Sequence, residues 1–472
     1  MRFKGISALV CGMARSGVSS ALCLKAMGAN VTVQDIRGIK AFEGADAELE
    51  DAGYLAAVRA AGVSLYLGRN PDGILADFEL IVLSPGVPYD LPFVTKALGL
   101  GIPVWSEIEL AYRLCPCPII AVTGTNGKTT TASIVGQVMR RLYPRAQVVG
   151  NIGVPFTEKV LELTENDYAV AEISSFQLEA ARDFAPHIAA VLNIKPDHLD
   201  RHGSFENYAR IKHSIAKNQK ETDFIILNYD DGPSREQADY RNWELRSRIV
   251  YFSRLKELDS GVYVKDGALH IRLDGLDADI INIDELRILG PHNAENALAA
   301  AAMCACAGVP PAEIRAGLKA FKAVEHRIEY VACIDGVTFY NDSKGTNPDA
   351  AVKSIMSMPG EIALIGGGYD KHADFSEWVS LFPGRVAFLA VIGQVADQLI
   401  DACEASGFKN YQRVGGLREA VRLCFAKSRP GGCVLLSPAC ASWDMFENYE
   451  QRGRLFKEYV AELAEEYETS QP

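Results

Sequence analysis

The stretch Ile119-Ile-Ala-Val-Thr-Gly124-Thr-Asn-Gly127-Lys128-Thr129-Thr130 decides the fold. Its apolar residues predict a buried strand, its two glycines predict a tight loop, and the residues from Lys128 onward predict a helix. In such a loop several backbone N–H groups can point at one anion, and the helix N-terminus adds partial positive charge. Lys128 can reach terminal phosphates, and the hydroxyl of Thr129 can enter the coordination shell of Mg²⁺.

The spacing of this loop departs from the common G-x-x-x-x-G-K-[ST] pattern, because Val122 stands where the first glycine would be. The departure points away from motor proteins and GTPases. A glycine turn with a solvated lysine is the alternative, which the strand–loop–helix context disfavours. The predicted ATP-binding residues of the loop are Gly124, Thr125, Asn126, Gly127, Lys128, Thr129 and Thr130.

Composition narrows the class of protein. A length of 472 residues predicts about three domains. The formal charge of -12 argues against broad binding to nucleic acid or to anionic membranes, which needs a basic face. The sequence has no signal-peptide pattern and no apolar run of about 18 residues that could span a membrane. We therefore expect a cytoplasmic protein. Because the sequence has no heptad pattern or apolar stripe that would require a partner, we also expect a monomer.

The eleven cysteines are an odd number, and they are scattered through apolar stretches. No second pair at zinc-ligand spacing accompanies Cys115-Pro-Cys117. Reduced thiols are the expectation for a protein of the cytoplasm.

Strands and helices alternate in three segments, which predict domains of residues 1–107, 108–323 and 324–472. Continuous apolar strands suit parallel sheets covered on both faces, and Asp266-Gly267 predicts a hairpin. The predicted fold class is α/β with three domains. A Rossmann-like N-terminal domain precedes a central P-loop-type ATPase domain with a mostly parallel sheet, and the C-terminal domain is Rossmann-like.

Two polar side chains in the second segment, Glu172 and His198, are candidates for the same site, whereas the sequence alone does not single out Lys212. Glu172 ends an apolar strand, at the sheet edge where ligands of open α/β sheets bind and where a carboxylate can hold Mg²⁺. His198 follows the next strand, and a surface histidine in a polar loop is the alternative. Lys212 lies on a helix predicted over residues 205–218 with Ser204 as N-cap. A helix lysine usually faces solvent, and its periodicity does not indicate otherwise.

Six more blocks follow the glycine loop in order. They are Gly150-Asn151-Ile152-Gly153, Glu172-Ile-Ser-Ser-Phe-Gln-Leu-Glu179, Asn193-Ile-Lys-Pro-Asp-His198, His292-Asn293-Ala-Glu-Asn296, His326-Arg327-Ile-Glu329 and Asn341-Asp342-Ser343-Lys344-Gly-Thr346-Asn347. With these blocks the chain resembles the Mur ligase family, which includes the folylpolyglutamate synthases, over essentially its whole length. The resemblance implies amide formation between a carboxylate and an amino acid. ATP would phosphorylate the carboxylate, and the amine would attack the acyl phosphate.

The resemblance also implies roles for individual residues. The catalytic residues would be Lys128, Lys212, His198 and Glu172. ATP would in addition contact Asn293, Asn296, Arg327, Asp342 and Lys344, the last three from the third domain. Two Mg²⁺ ions would be held by Thr129, Glu172, His198 and Lys212, once CO₂ has carbamylated that lysine.

The N-terminal block Cys11-Gly12-Met-Ala14-Arg-Ser16-Gly17 resembles G-x-G-x-x-G with alanine at the middle glycine, and Asp35 ends the next strand. Alone it would indicate an NAD-dependent oxidoreductase, but the fingerprint is imperfect and nothing downstream resembles a hydride-transfer site. In Mur ligases this domain grips the uridine nucleotide of the substrate. The residues implied for that substrate are Ser16, Asp35, Ile36, Ser84, Gly86, Asn151 and Ser174.

The C-terminal block Leu436-Ser-Pro-Ala-Cys-Ala-Ser442-Trp-Asp-Met-Phe-Glu-Asn-Tyr449-Glu-Gln-Arg-Gly453 resembles the D-glutamate-adding members of the family. The residues implied for D-glutamate are Thr346, Lys371, Ser442 and Tyr449. The expected reaction is ATP-dependent ligation of D-glutamate to UDP-N-acetylmuramoyl-L-alanine, a cytoplasmic step of peptidoglycan synthesis that yields ADP and phosphate. A related ligase for another amino acid and a catalytically silent nucleotide-binding regulator are the alternatives.

Overall fold

The computed structural model describes residues 3–43, 49–151, 153–236, 245–322, 324–370 and 373–470. Its strands form three sheets, which confirms a three-domain α/β fold. The chain divides into two compact units, Met1–Glu285 with Glu295–Lys319 and Leu286–Ala294 with Ala320–Pro472. The first two sheets lie in the first unit, and the third sheet lies in the second unit. Within the described residues no helix is both long and apolar enough to cross a membrane.

The N-terminal sheet is wholly parallel and is built from β1 (Ser7–Cys11), β2 (Asn30–Asp35), β3 (Ser64–Leu67), β4 (Leu80–Leu83) and β5 (Val104–Ser106), with helices α1 (Arg15–Ala26), α2 (Leu49–Ala60) and α3 (Pro92–Gly99). The strand order is β3-β2-β1-β4-β5. At Gly17 a Cβ atom would run into the carbonyl oxygen of Gly12, so only glycine lets α1 approach β1 this closely. The four residues of β3 are exposed or only partly buried, whereas β4 is buried throughout.

The central sheet contains β6 (Ile119–Thr123), β7 (Gln147–Gly150), β8 (Ala169–Glu172), β9 (Ile188–Val191), β10 (Phe224–Asn228), β11 (Arg248–Ser253), β12 (Gly261–Lys265), β13 (Ala268–Leu273) and β14 (Leu276–Asn282). The strand order is β14-β13-β12-β11-β10-β9-β6-β8-β7, and only the pairs β12–β13 and β13–β14 are antiparallel. Asp266 and Gly267 both have positive φ and join β12 to β13, which confirms the predicted hairpin.

The helices around this sheet are α4 (Glu107–Leu114), α5 (Lys128–Met139), α6 (Phe156–Lys159), α7 (Ser175–Glu179), α8 (Leu199–His202), α9 (Phe205–His213), α10 (Gly232–Arg235), α11 (Pro291–Cys306) and α12 (Pro311–Ala320). The helix predicted over 205–218 ends at His213 and continues as a 3₁₀ turn. Ser204 is its N-cap as predicted, because its hydroxyl accepts a bond from the N–H of Asn207.

The third sheet contains β15 (Glu329–Ile334), β16 (Val337–Asn341), β17 (Ile362–Gly367), β18 (Val386–Ile392), β19 (Tyr411–Arg413) and β20 (Cys433–Leu436), with helices α13 (Pro348–Ser357), α14 (Ser376–Ser380), α15 (Ala396–Ser406), α16 (Leu417–Lys427) and α17 (Tyr449–Ser470). The order is β15-β16-β20-β17-β18-β19, and only β15 runs antiparallel to its neighbour. β17 and β20 are buried throughout because helices cover both faces.

Candidate active site

The glycine loop joins β6 to α5 in a conformation that depends on its two glycines. Gly124 has φ +145° and Gly127 has φ +86°, both in the region that favours glycine. A Cβ atom at Gly127 would collide with the side-chain oxygen of Asn296, and one at Gly124 would lie 3.1 Å from Cβ of Leu192. The loop is therefore packed too closely for side chains, and its backbone leads directly into the N-terminus of α5, as an anion site requires.

Two lysines meet at this loop. Lys128 Nζ donates to the carbonyl oxygens of Gly124 and Thr125, each at 2.9 Å. Lys212 Nζ donates to the same carbonyl of Gly124, also at 2.9 Å. Lys212 is only 2% exposed, so the interpretation of this residue as a solvent-facing helix lysine is wrong. Burial, helped by the charge of Lys128, lowers the pKa of Lys212 well below its ordinary value.

Glu172 lies directly beside the start of α5. Its Oε2 accepts a bond from Thr129 Oγ1 at 2.9 Å, and its Oε1 accepts a bond from Asn151 Nδ2 at 2.9 Å. The carboxylate is 2% exposed and stands at the carboxyl end of β8, as the sequence predicted. A hydroxyl oxygen and a carboxylate oxygen side by side are hard ligands of the kind that Mg²⁺ prefers. Thr130 is buried next to them on α5.

Asn193, to which the sequence assigned no role of its own, holds the loop from the neighbouring strand. Its Oδ1 accepts from the backbone N–H of Asn126 at 2.9 Å, and its Nδ2 donates to the carbonyl of Asn126 at 3.1 Å. The carbonyl of Asn193 also accepts from the N–H of Thr125 at 2.9 Å. The pairing of one amide side chain with a backbone peptide fixes the loop in place. The position of Asn193 just after β9 was the feature of the sequence that could have identified this role.

His198 is placed differently from Glu172 and Thr129. Its side chain is 51% exposed, its φ is +50°, and its ring lies 4.9 Å from the ring of Phe176.

Among the described residues, the group of three metal-ligating side chains close enough to share an ion is Glu325, His326 and Glu329. Lys457 already supplies positive charge there, because its Nζ binds both carboxylates.

Two asparagines of α11 were predicted to contact ATP. Asn296 is buried, and its Oδ1 accepts from Thr131 Oγ1 at 3.4 Å, next to the glycine loop in the first unit. Asn293 belongs to the second unit, where its Nδ2 donates to the carbonyl of Leu289 at 2.7 Å. Asn296 therefore lies beside the glycine loop, and contact of either asparagine with ATP stays a prediction.

Five of the residues predicted for the uridine substrate lie at the carboxyl edge of the first sheet, and the other two, Asn151 and Ser174, follow strands of the central sheet. Asp35 accepts from the N–H of Met13 at 2.8 Å and from Arg37 Nε at 3.2 Å. Burial tends to raise the pKa of Asp35, but the bonds from Arg37 and Met13 outweigh it and leave the pKa lowered. Ser84 Oγ donates to the carbonyl of Gly12 at 2.9 Å. Asp35 and Ser84 thus shape the turn that precedes α1.

Four other residues predicted for the uridine substrate are exposed, half-buried or hydrogen-bonded within their own segment. Ile36 is 63% exposed, which is unusual for isoleucine, and Gly86 is exposed as well. Ser16 is half-buried near the N-terminus of α1. Ser174 is the N-cap of α7 in a capping box with Gln177, so part of its hydrogen-bonding capacity is used locally. Asn151, the remaining one, holds Glu172 as described above.

In the second unit, Asp342 and Arg327 have unusual electrostatic settings. Burial raises the pKa of Asp342 to about 6, although Ser354 and Ser437 donate to its Oδ2. Among the described residues Arg327 Nε is a buried donor without a hydrogen-bond partner. A buried guanidinium nitrogen without an acceptor is suited to an anionic ligand. Lys344 Nζ lies 5.4 Å from the centre of the Tyr449 ring.

The predicted D-glutamate residues lie on loops at the carboxyl ends of β16 and β20, except for Lys371, which is outside the described residues. Thr346 is half-buried after β16. Ser442 is buried, and its carbonyl accepts from Met445 and Phe446. Tyr449 begins α17, and its carbonyl accepts from Ser343 Oγ at 2.8 Å.

Arg452 holds these two loops together, although the sequence assigned it no role. It is fully buried, and its guanidinium donates to the carbonyls of Ser343, Cys440 and Ala441 at 2.7, 3.1 and 3.3 Å. Its Nε also donates to Ser343 Oγ at 2.9 Å. The hydrogen bonds to these three carbonyl oxygens offset the free-energy cost of burying the guanidinium cation. One arginine thereby fixes the segments that carry Lys344 and Ser442.

Known proteins match the chain along its length. The model for the Mur ligase MurD-like N-terminal domain matches residues 6–106, that for the Mur ligase middle domain matches 122–304, and that for the Mur ligase glutamate ligase domain matches 326–440. The UDP-N-acetylmuramoylalanine–D-glutamate ligase of Alkaliphilus oremlandii is 45% identical over 98% of this chain and 100% of its own length. The protein of the same name from Pelotomaculum thermopropionicum is 45% identical over 96% and 97%. The chain belongs to the Mur ligase family.

Two solved ligase structures share this fold. UDP-N-acetylmuramate-alanine ligase of Thermotoga maritima superposes with a TM-score of 0.59 at 19% identity, covering 97% of this chain and 100% of that one. A pseudomurein peptide ligase type C from Methanothermus fervidus gives 0.56 at 17% identity with the same coverage. Mur ligases are ATP-dependent enzymes that form amide bonds. The glycine-rich turn at Gly12 is thus part of a ligase, and the oxidoreductase alternative is set aside.

Proposed function

We propose that the protein joins D-glutamate to UDP-N-acetylmuramoyl-L-alanine and releases ADP and phosphate. The observation that carries this proposal is the end-to-end similarity to relatives named for that reaction, at 45% identity over 98% of the chain. Ser442 and Tyr449, which we propose as D-glutamate ligands, support it further, because Arg452 on α17, the helix that begins at Tyr449, bonds the loop that carries Ser442.

The chemistry assigned to the glycine loop is phosphoryl transfer. ATP would phosphorylate the substrate carboxylate, and the amine of D-glutamate would displace phosphate from the acyl phosphate. Within Gly124–Thr130, the backbone N–H groups that Asn193 does not engage are proposed to hold the phosphates, together with the side chain of Lys128. Lys128 now bonds the carbonyls of Gly124 and Thr125, so it must exchange those acceptors for phosphate oxygens when ATP binds. We retain the predictions that Asn293, Asn296, Arg327, Asp342 and Lys344 contact ATP.

The residues present fit magnesium. Thr129 and Glu172 offer two oxygen ligands that already lie 2.9 Å apart at the sheet edge. Magnesium would supply charge neutralisation for the phosphates of ATP. Lys212 is buried with a lowered pKa, which favours the neutral amine that reacts with CO₂ to give an anionic carbamate and one proton. We propose the carbamylated Lys212 and His198 as ligands for a second ion.

The two remaining substrates are assigned to separate parts of the chain. Ser16, Asp35, Ile36, Ser84, Gly86, Asn151 and Ser174 are proposed for UDP-N-acetylmuramoyl-L-alanine, and Thr346, Lys371, Ser442 and Tyr449 for D-glutamate. The exposed Ile36 at the carboxyl edge of the first sheet provides an apolar surface that a uracil ring could cover. A cytoplasmic location, a monomeric state and the domain limits 1–107, 108–323 and 324–472 remain predictions.

Amino-acid selectivity tests the proposal. The purified chain is incubated with ATP, Mg²⁺ and UDP-N-acetylmuramoyl-L-alanine, and phosphate release is measured with D-glutamate, L-alanine or a diamino acid added separately. We expect release with D-glutamate only. Turnover with another amino acid instead would change the assigned amino-acid substrate but leave the reaction class as proposed. ATP binding without amino-acid-dependent release would favour a catalytically silent regulator.

A further inference from the structure

A pair of cysteines lies at the joint between α4 and β6. Cys115 follows the last residue of α4, and Cys117 stands two residues before Ile119, where β6 begins. Their Sγ atoms are 3.5 Å apart, and Cys115 Sγ also lies 3.4 Å from the carbonyl oxygen of Cys117. Prolines 116 and 118 follow the two cysteines and disfavour helical backbone at both, so the segment stays extended.

This proximity is a consequence of the fold and not of spacing alone. Cys304 and Cys306 have the same spacing but lie on α11, where residues two apart do not face each other. At the joint, the carbonyl of Pro118 accepts from the N–H of Ala169 at 3.2 Å and anchors the segment to the central sheet. Cys117 is buried in the core of that domain, whereas Cys115 is partly exposed. One thiol is therefore accessible, and its partner is protected.

We propose that Cys115 and Cys117 form a reversible intrachain disulfide by exchange with a small disulfide such as oxidised glutathione. The Cys115 thiolate attacks one glutathione sulfur and releases one glutathione thiolate. Cys117, after losing its proton, attacks Cys115 sulfur in the mixed disulfide and releases the second glutathione. Two protein thiols and one oxidised glutathione thus give one protein disulfide and two reduced glutathiones. The Sγ atoms must approach from 3.5 Å to about 2.05 Å.

The electrostatics of the pair fit this order of attack. The thiol hydrogen bond between them lowers the pKa of Cys115 despite the opposing effect of burial. The same bond, together with burial, raises the pKa of Cys117. Once Cys115 is in the mixed disulfide its negative charge is gone, which removes one cause of the raised pKa of Cys117. The accessible thiol is thus the attacking group, and the buried thiol is the resolving group.

The site is separate from the proposed phosphate loop. Cys117 precedes the N-terminal end of β6, whereas Gly124 follows its C-terminal end. Five residues of strand span about 16 Å. The inference therefore does not rest on the proposed function, and a mass measurement tests it without any assay of ligase activity.

Peptide mapping of the folded chain is the experiment. The tryptic peptide from Leu114 to Lys128 contains Cys115 and Cys117 and no other cysteine. After treatment with excess oxidised glutathione and blocking with N-ethylmaleimide, we expect this peptide without added maleimide and lighter by two hydrogens. Dithiothreitol before blocking should restore two maleimides. Two maleimides after oxidation, or a glutathione that remains on the peptide, would overturn the proposal.

Variants separate the two roles. Cys117→Ser should retain one glutathione on Cys115, because the resolving thiol is absent. Cys115→Ser should give neither product in this peptide, since Cys117 is buried. Cys333→Ser, which removes an exposed cysteine elsewhere, should leave the disulfide in peptide 114–128 unchanged. Glutathione on Cys117 of the Cys115→Ser variant would contradict the assigned order of attack. The unsubstituted chain alone decides whether the disulfide forms if a variant does not fold.

Discussion

Lys212 Nζ lies 2.9 Å from the carbonyl oxygen of Gly124, the first glycine of the glycine loop. Lys128 Nζ lies 2.9 Å from the same oxygen, so one carbonyl accepts from two amines. The repulsion between these amines and the burial of Lys212 both lower the pKa of Lys212. The lowered pKa favours the neutral amine of Lys212 beside the charge of Lys128, and conversion of Lys212 to a carbamate would add a negative charge there.

Lys212→Ala tests the carbamate. We expect the variant to lose at least about 100-fold in kcat, because an anion that supports magnesium would be missing. Short carboxylates such as acetate or formate can occupy the space of the carbamate and should restore part of the rate in a concentration-dependent manner. Lys212→Arg, which keeps a cation and leaves no space, should not respond. Failure of rescue at every carboxylate concentration would count against carbamylation.

Lys128→Ala separates the two nucleotide sites. We expect loss of turnover by at least about 1,000-fold, because the phosphates would lose their charge partner in a buried loop. Affinity for UDP-N-acetylmuramoyl-L-alanine, measured by calorimetry, should change less than about threefold. Lys220→Ala, at an exposed lysine of the same domain, is the matched control. Equal losses in turnover and in uridine-substrate affinity would show that Lys128 does not act on ATP alone.

Asn193→Ala should loosen the glycine loop. The substitution removes the bonds from Asn193 to the N–H and carbonyl of Asn126. Loss of two such bonds costs about 1–3 kcal/mol, so kcat/KM for ATP should fall about 10- to 100-fold. Asn218→Ala is the control, since the Asn218 side chain also forms two hydrogen bonds to backbone, in this case donating to the carbonyls of Arg182 and Phe184. An unchanged KM for ATP and an unchanged kcat in Asn193→Ala would contradict the positioning role.

Arg452 should control recognition of the amino acid. Arg452→Lys keeps the charge but cannot reach three carbonyls at once, so we expect the KM for D-glutamate to rise at least about 10-fold. The KM for UDP-N-acetylmuramoyl-L-alanine should stay within about twofold, because those residues lie in the other unit. The exposed Arg454→Lys two residues later is the control. A uniform rise in all three KM values would indicate general destabilisation instead.

His292 should make the stability of the chain depend on pH. Burial, aided by the charges of Lys353 and Arg327, lowers its pKa from 6.5 to about 4. Between these values the unfolded chain binds the proton and the folded chain does not, so the free energy of unfolding falls as pH drops from 6.5 towards 4. The contribution lost at pH 5 is about 1–2 kcal/mol, allowing for partial exposure of the ring.

Urea unfolding at pH 7 and pH 5 measures this contribution. His292→Gln removes the titrating group, so its loss of stability between the two pH values should be smaller than that of the parent chain by the stated amount. A variant with the same pH dependence as the parent would show that His292 is not the group responsible.

Much of the architecture followed from local pattern. The apolar runs that precede Glu172 and Gly124 predicted buried strands, because a parallel sheet covered on both faces accommodates such runs. Gly124 and Gly127 predicted a tight loop, and Asp266-Gly267 predicted a hairpin. Both predictions rest on the ease with which glycine adopts the positive φ that such turns use. By contrast, β3 has a mixed burial pattern, and its pairing with β2 was not visible in its own residues.

The sequence by itself determined the family, the glycine loop between a strand and a helix, and the position of Glu172 at a strand end. Only the tertiary structure decided that Lys212 is buried against Gly124 and that Asn193 clamps Asn126. It also brought Cys115 and Cys117 into contact. The reason is physical: a strand or a turn depends on neighbouring residues, whereas these contacts depend on how separate segments pack. Burial and charge then give Lys212 a chemistry that its helix alone does not indicate.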